Sequence, residues 1–337
     1  MIEIDGSIGG GSVVRLSVGL SIATGESVKI INIRQSRPNP GLRHQHLAGV
    51  NAAGVLSNAK ITENKLGSKT LTFSPSSLQK DKINVKIPTA GSIGLVLQTL
   101  QLALTKASDT VEIEIHGGAT AGKWAPPAYF MKHINFSILE MFGYKASLNI
   151  RKHGFYPKGG AFINAEFYPQ KMKRIELVKK GSLKQISGIS TASDFLKISS
   201  VAERQRKETI EILKNLFPSE EVNIKYEYVK SDCPGSVISL FAEFDNTCIG
   251  ADALGEKGKK AEKVGHESAN ELIKFIKSDS PVDDYMADQI IPYLGLFKGE
   301  VKIRKITDHV RTNVEITNKF VRNKLNIDKN KMIIRSS

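Results

Sequence analysis

The residues best suited to chemistry fall in three stretches of the chain. The first is Asp5-Gly6-Ser7-Ile8-Gly9-Gly10-Gly11-Ser12-Val13-Val14-Arg15, where three successive glycines open an apolar run. Glycines ahead of a helix let backbone N–H groups approach an anion, and the helix N-terminus adds favourable polarity. Arg15, one turn in, would face the same space. The second stretch runs from Ile33 to Leu47 and interleaves Arg34, Arg37, Arg43, His44 and His46 with Pro38, Pro40 and Gly41. The prolines stiffen the loop, so the guanidinium forks are pre-organised for phosphate. The third stretch joins Asp283-Asp284-Tyr285-Met286-Ala287-Asp288-Gln289 to Thr307-Asp308-His309-Val310-Arg311-Thr312-Asn313. An imidazole with a pKa of about 6.5 is largely neutral at pH 7, so His309 can attack phosphorus without a separate base. Each stretch also has a plain reading. Glycine-rich turns are common, a basic loop can be a solvated face, and a lone histidine is usually structural.

Several familiar signatures fail. Gly117-Gly118-Ala119-Thr120-Ala121-Gly122-Lys123-Trp124 nearly matches a phosphate-binding P-loop, but Trp124 stands where a hydroxyl should meet magnesium. The cluster Gly9-Gly10-Gly11 lacks the spacing of a dinucleotide-binding turn. No Lys-x-Asp-Gly motif of lysine-dependent ligases occurs, and no His-Glu-x-x-His. Cys233 and Cys248 alone make neither a disulfide framework nor a zinc site.

The elements that must carry these residues alternate between strand and helix. Val28–Ile33, Val111–Ile115 and Ala161–Phe167 read as strands, being short and rich in β-branched and apolar residues. Arg15–Ile22, His46–Leu56 and Pro127–Phe142 carry helical apolar spacing, with Pro127 where a first-turn proline is tolerated. Gly11-Ser12 opens one apolar run, and Gly91-Ser92 opens another 80 positions later. The segments that follow each next helix echo one another too, with Asn58 and Gly143 as plausible helix ends. The pattern implies an α/β fold with a repeated unit of two helices on one sheet. Between Gly181 and Ser278 it changes. There Ser200-Val201-Ala202-Glu203 reads as a capping box, with Ile210, Leu213, Leu216 and Phe217 as the apolar face of its helix. Strands over Asn223–Tyr228 and Val237–Glu243 follow, then a Lys-rich turn and a helix over Ala261–Lys277. The expected division is residues 1–180 and 279–337 for a large repeat domain, and 181–278 for a small inserted α/β domain.

Composition bounds the function. The 337 residues hold 48 Lys+Arg against 34 Asp+Glu, a formal charge of +14. Such an excess favours a polyanionic partner through counterion release. A 40% hydrophobic content sustains a core, and a 24% charged fraction with clear periodicity excludes a disordered chain. The longest nearly apolar run, Gly94 to Leu104, is too short to span a bilayer, and Met1-Ile2-Glu3-Ile4-Asp5 does not start a signal peptide. A soluble protein of the cytoplasm is expected, with no membrane partner.

Together these stretches resemble the RNA 3'-terminal phosphate cyclase family. The resemblance is carried by Asp5-Gly6-Ser7 with the triple glycine and Arg15, and by Arg37-Pro38-x-Pro40-Gly41-Leu42 with Gln45-His46-Leu47. It continues through Thr89-Ala90-Gly91-Ser92, Leu97-Gln98-Thr99, Trp124-Ala125-Pro126-Pro127 and His153-Gly154-Phe155-Tyr156-Pro157-x-Gly159-Gly160. Later come Val201-Ala202-Glu203-Arg204, Gly250-Ala251-Asp252-x-Leu254-Gly255-Glu256-x-Gly258-Lys259, Ala287-Asp288-Gln289 and His309-x-x-Thr312-Asn313. The matches run in one order from about Asp5 to Phe320.

The resemblance implies a large domain of three repeated α/β units, each with two helices on a four-stranded sheet, plus a small inserted α/β domain. It implies an ATP-dependent enzyme that converts an RNA 3'-phosphate end to a 2',3'-cyclic phosphodiester. His309 would be the nucleophile that takes AMP from ATP. The RNA phosphate would take AMP from the histidine, and the neighbouring 2'-hydroxyl would then close the ring and expel AMP. By the same resemblance Arg15, Arg34, Arg37 and His46 lie near phosphates. Gln98, Pro126, Tyr285, Met286, Ala287, Asp288 and Gln289 belong to the ATP site, with Pro126 and Tyr285 on the adenine faces. All of these lie outside the insert, so the insert is expected to serve RNA or the scaffold. A divalent metal, Mg2+ or Mn2+, is expected. Ile8 stands where family members often carry a metal-associated glutamate, so the protein's own metal ligands stay unassigned. One rival is the family's non-catalytic ribosomal RNA processing branch, against which His309 argues. Another is an enolpyruvyl transferase of similar architecture, against which Tyr285 and Ala287-Asp288-Gln289 argue.

Overall fold

Three copies of one strand–helix plan make up most of the chain. In the computed structural model, which describes residues 1–78 and 81–337, the first copy is β1 (Ile2–Asp5), α1 (Gly11–Thr24), β2 (Val28–Ile31), α2 (His44–Ser57), β3 (Lys60–Thr62) and β4 (Leu71–Ser74). The second is β5 (Lys82–Ser92), α3 (Ile93–Ala103), β6 (Val111–Ala119), α4 (Ala128–Phe130), α5 (Phe136–Met141), β7 (Ala146–Lys152) and β8 (Phe162–Phe167). A π-helical turn, Met131–Asn135, joins α4 to α5. The third begins with β9 (Ile175–Leu177). After a long excursion it resumes with α8 (Asp284–Gln289), α9 (Ile291–Phe297), β14 (Gly299–Lys302), α10 (Asp308–Phe320), β15 (Leu325–Asp328) and β16 (Ile333–Ser336).

The three sheets share one topology. Their orders are β1-β2-β4-β3, β5-β6-β8-β7 and β9-β14-β16-β15. In each, the first two strands are parallel and the other pairings are antiparallel. The 80-residue echo maps onto this plan: Gly11 opens α1, and Ser92 caps α3 by accepting from the Leu95 N–H. The helical spacing of Pro127–Phe142 becomes α4, the π turn and α5, with Pro127 standing just before the first turn as the cap residue. Asn58 ends α2 in the left-handed conformation, as its side chain permits. α1 is buried nearly all round, which suits its unbroken apolar sequence, and it touches α2, α3 and α10. The repeats therefore share one core around it.

The excursion between β9 and α8 builds a fourth sheet, ordered β11-β10-β12-β13. Its strands are β10 (Leu183–Ser193), β11 (Glu221–Val229), β12 (Ser236–Phe244) and β13 (Cys248–Leu254). Helices α6 (Val201–Leu216) and α7 (Ala261–Lys277) cover it around a separate core that includes Ile186, Leu213, Leu240 and Phe275. Three local expectations fail here. Ser200 does not cap α6 through its side chain; it adopts a left-handed backbone, and the Glu203 carboxylate accepts from the Tyr228 hydroxyl instead. Leu216 is exposed, while Ile212 takes a place against the core. The residues before the Lys-rich turn form a strand, β13, that the sequence reading passed over. No helix among the described residues is long and apolar enough to cross a membrane.

Candidate active site

A cavity of about 430 Å³ opens where the first and third repeats meet the second repeat and the inserted sheet. From the residues singled out in the sequence it gathers Arg15, Gln98, Pro126, Tyr285, Asp288, Gln289 and His309. These come from α1, α3, the loop before α4, α8 and the start of α10, so five separate segments converge.

His309 is the second residue of α10, whose cap, the Thr307 hydroxyl, accepts from the Val310 N–H at 3.1 Å. Burial, with Arg15 and Arg37 beside it, holds its pKa below the usual imidazole value, and Asp308 opposes this only weakly. A position at a helix N-terminus works in the same direction, because the dipole disfavours a cation there. His309 is therefore a neutral imidazole at pH 7. Arg15 is pushed down by burial to about 10, which leaves it a cation at neutral pH. Asp288 is pushed up to about 7 by burial, against the pull of Arg15.

The glycine turn and the basic loop meet next to this group. Thr312 donates to the Ile8 carbonyl at 3.1 Å, tying α10 to the turn. A Cβ on Gly10 would lie 3.2 Å from an Arg37 nitrogen, so the Arg37 guanidinium stands directly over the turn. His46 is buried against Gly11 at the start of α1; its Nδ1 accepts from the Arg43 N–H at 3.1 Å. Nδ1 being an acceptor, the neutral ring carries its proton on Nε2, the atom turned toward Gly11. Burial, then Arg15, Arg34 and Arg43, push its pKa down to about 3. Arg34 lies in the same basic cluster, next to Arg37, Arg43 and His46. Its guanidinium donates to the carbonyls of Asn39 (2.6 Å) and Gly41 (2.9 Å), so it staples the loop instead of facing the cavity.

The opposite end of the cavity is aromatic and acidic. Tyr285 is half-exposed, meets Phe130 edge-on at 6.3 Å and donates to Glu271 at 3.0 Å. Asp283 caps α8 by accepting from the N–H groups of Tyr285 and Met286. Met286 and Ala287 are buried, so their side chains support α8 from below and do not line the cavity. Asn135 donates to Gln289 Oε1 at 2.9 Å, and Asn313 donates to the Asp288 carbonyl at 2.8 Å. The sequence reading missed Asp252 and Leu254, which line the cavity from the inserted sheet. With Glu271, which accepts from Tyr285, they bring the insert to the edge of this cavity. Their signal was the alternation of Gly250-Ala251-Asp252-Ala253-Leu254, legible only once those residues are seen as a strand. Among the described residues no group of three His, Cys, Asp or Glu side chains is placed to hold a metal ion. Ile8 is exposed and offers no ligand.

Comparison with known proteins decides the family. A family model described as RNA 3'-terminal phosphate cyclase matches residues 7–327. The chain belongs to this family. Curated relatives named RNA 3'-terminal phosphate cyclase are similar over nearly their whole length. The one from Pyrococcus abyssi is 43% identical over 332 residues, covering 97% of this chain and 95% of the relative. That from Pyrococcus furiosus is 44% identical over 324 residues, covering 95% and 93%. That from Methanothermobacter thermautotrophicus is 39% identical over 333 residues, covering 97% and 96%. The α/β fold of repeated units is the one expected for the cyclase family.

Proposed function

We propose that the protein is an RNA 3'-terminal phosphate cyclase that uses ATP to close a 3'-phosphate end into a 2',3'-cyclic phosphodiester, through AMP carried on His309. The observation that carries this reading is the convergence of His309, Arg15, Gln98, Pro126, Tyr285, Asp288 and Gln289 on one cavity.

The chain's residues suit each step. Tyr285 offers a ring face for adenine, with Pro126 as the second wall. Arg15 and Arg37 hold the phosphates beside His309, and the N-termini of α1 and α10 add backbone donors. The neutral imidazole of His309 attacks the α-phosphorus; an N–P bond forms, the P–O bond to pyrophosphate breaks, and pyrophosphate leaves. The same arginines stabilise the charge that develops on phosphorus, and being fixed in advance they need little reorganisation. An oxygen of the RNA 3'-phosphate then attacks that phosphorus and the N–P bond breaks, freeing His309. The vicinal 2'-oxygen attacks the activated 3'-phosphorus, AMP departs and the hydroxyl proton passes to solvent. The first two steps convert a poor leaving group into AMP, and the adjacent hydroxyl has a high effective molarity. Among the described residues no side chains form a metal cage, so a divalent ion would arrive on the phosphates of ATP.

The test uses RNA oligonucleotides ending in a 3'-phosphate, incubated with the protein and ATP. The expected product has lost one water in mass, resists phosphatase and forms only with ATP present. A 3'-end that stays phosphatase-sensitive with a folded, ATP-binding protein refutes the reading.

A further inference from the structure

The chain contains one tryptophan, and it stands in the open. Trp124 is 95% exposed, yet it lines the rim of the cavity that holds His309, two residues before Pro126. Its backbone is left-handed, with a φ of 60°. That conformation is strained for a bulky side chain, and no packing of the indole within the chain offsets the strain. The turn is held by its neighbours instead. Gly122 and Ala125 bridge across it, and the Lys123 ammonium donates to Glu256 of the inserted domain at 2.7 Å. These contacts hold the turn that carries the ring outward.

A second exposed aromatic lies on the adjoining loop. Ala121 and Phe155 share one small buried cluster with Cys233 and Val237, which brings the two loops side by side. The second loop carries Tyr156, 78% exposed, and the exposed Lys158. Single apolar residues on a surface are ordinary and call for no explanation. An indole on a strained backbone, at the rim of the cavity that holds His309 and Arg15 and next to a tyrosine and a lysine, is different. Aromatic faces interleaved with cations hold single-stranded nucleic acid without reading its sequence. With Tyr285 and Pro126 taken by adenine, the indole is left for a base that arrives from solvent on the continuing RNA chain.

We propose that Trp124 is the platform on which the 3'-terminal base of the RNA stacks, so that the attached 3'-phosphate points into the cavity toward His309. The inference rests on the cavity being the site of AMP transfer. Stacking uses the π-face that every base has, so it fixes the RNA end without selecting its sequence. A terminal base held in this way also orients the vicinal 2'-hydroxyl, on which ring closure depends.

Because Trp124 is the sole tryptophan, its fluorescence reports on this position alone. Full-length His309→Asn protein, which cannot turn over, is titrated with a short 3'-phosphate RNA, with the same RNA carrying an abasic terminal nucleotide, and with ATP alone. Binding is read from the anisotropy of a 5'-label on the RNA, and stacking from the tryptophan emission. The intact RNA should quench the indole and shield it from acrylamide. The abasic RNA should bind about 5- to 150-fold more weakly, the range for one base stacked on an aromatic ring, and should leave the emission unchanged. Trp124→Ala should weaken the intact RNA by the same factor without affecting the abasic one, and Trp124→Phe should restore most of the loss. RNA that binds without altering the emission overturns the proposal, and so does equal binding of the intact and abasic RNAs. Quenching by ATP alone also overturns it, since that would place the indole on the ATP base. If the RNA quenches Trp124 but wild-type protein with ATP forms no cyclic end, the cyclase reading fails and the stacking stands. RNA that does not bind at all refutes both.

Discussion

Substituting Gly11 by alanine probes the contact that sets the phosphate end of the site. A Cβ there would come within 3.1 Å of three ring atoms of His46, Nε2 nearest. Carbon contacts relax at about 3.5 Å or more, so the ring must retreat by on the order of 1 Å. His46 is anchored by the Arg43 N–H at 3.1 Å and is buried, so it cannot move without breaking that bond. Overpacking of this kind costs about 1–3 kcal/mol, and a buried donor left unpaired costs about 1–3 kcal/mol more. Alanine's better helix propensity returns at most about 1 kcal/mol. Gly11→Ala should therefore destabilise the protein by about 2–4 kcal/mol. In a His46→Ala background the ring is gone and the Arg43 bond is already lost. The same substitution should then be neutral or stabilise by up to about 1 kcal/mol. Denaturant unfolding of the four proteins of this cycle measures the coupling, which should be about 2 kcal/mol or more. A coupling below about 0.5 kcal/mol would show that His46 and Gly11 do not share this space.

Glu271→Ala should free the Tyr285 hydroxyl and raise the ATP concentration for half-maximal adenylation by about fivefold, the effect of one modest hydrogen bond, while Glu271→Gln should restore most of it; equal effects from both would leave Tyr285 positioned by something else. Because the pKa of His309 is held below 6.5, single-turnover adenylation at limiting ATP should lose rate only below that pH, and an acid limb centred at or above it would contradict a neutral nucleophile. The raised pKa of Asp252, about 7, means the folded state holds its proton longer than the unfolded chain. Its contribution to stability is therefore complete below about pH 4, the unfolded carboxyl value, and is lost as pH rises through 7. Relative to wild type, Asp252→Asn should gain stability progressively between about pH 4 and 7 and hold that gain above it, and a pH-independent difference in denaturant midpoint would argue against the shift.

The repeats were legible because their signals are local. Gly11-Ser12 and Gly91-Ser92 each mark a helix start, and Asn58 marks a helix end by its left-handed tolerance. The chain between Ala261 and Lys277 shows its helix by periodicity alone. β13 was missed because Gly250-Ala251-Asp252-Ala253-Leu254 lacks the β-branched residues of a typical strand; its pairing with β12 overrides weak propensity. With the strand unseen, Asp252 and Leu254 could not be assigned to a face. Arg34 looked like Arg37 in sequence. Its left-handed backbone and its bonds to the Asn39 and Gly41 carbonyls, which turn it inward, depend on how the whole loop closes. Ser200 likewise had the spelling of a cap, but Tyr228, distant in sequence, took Glu203.

Protein-bound AMP is the most direct test of the central claim. Incubation with ATP labelled in the α-phosphate should give a labelled protein whose bond is labile in acid and stable in alkali, as a phosphoramidate is. Peptide mapping should place the label on His309. His309→Asn should bind ATP but carry no label, and it should still close pre-adenylated RNA to the cyclic phosphodiester, since ring closure does not pass through the histidine. An acid-labile AMP adduct that persists in His309→Asn would contradict the account.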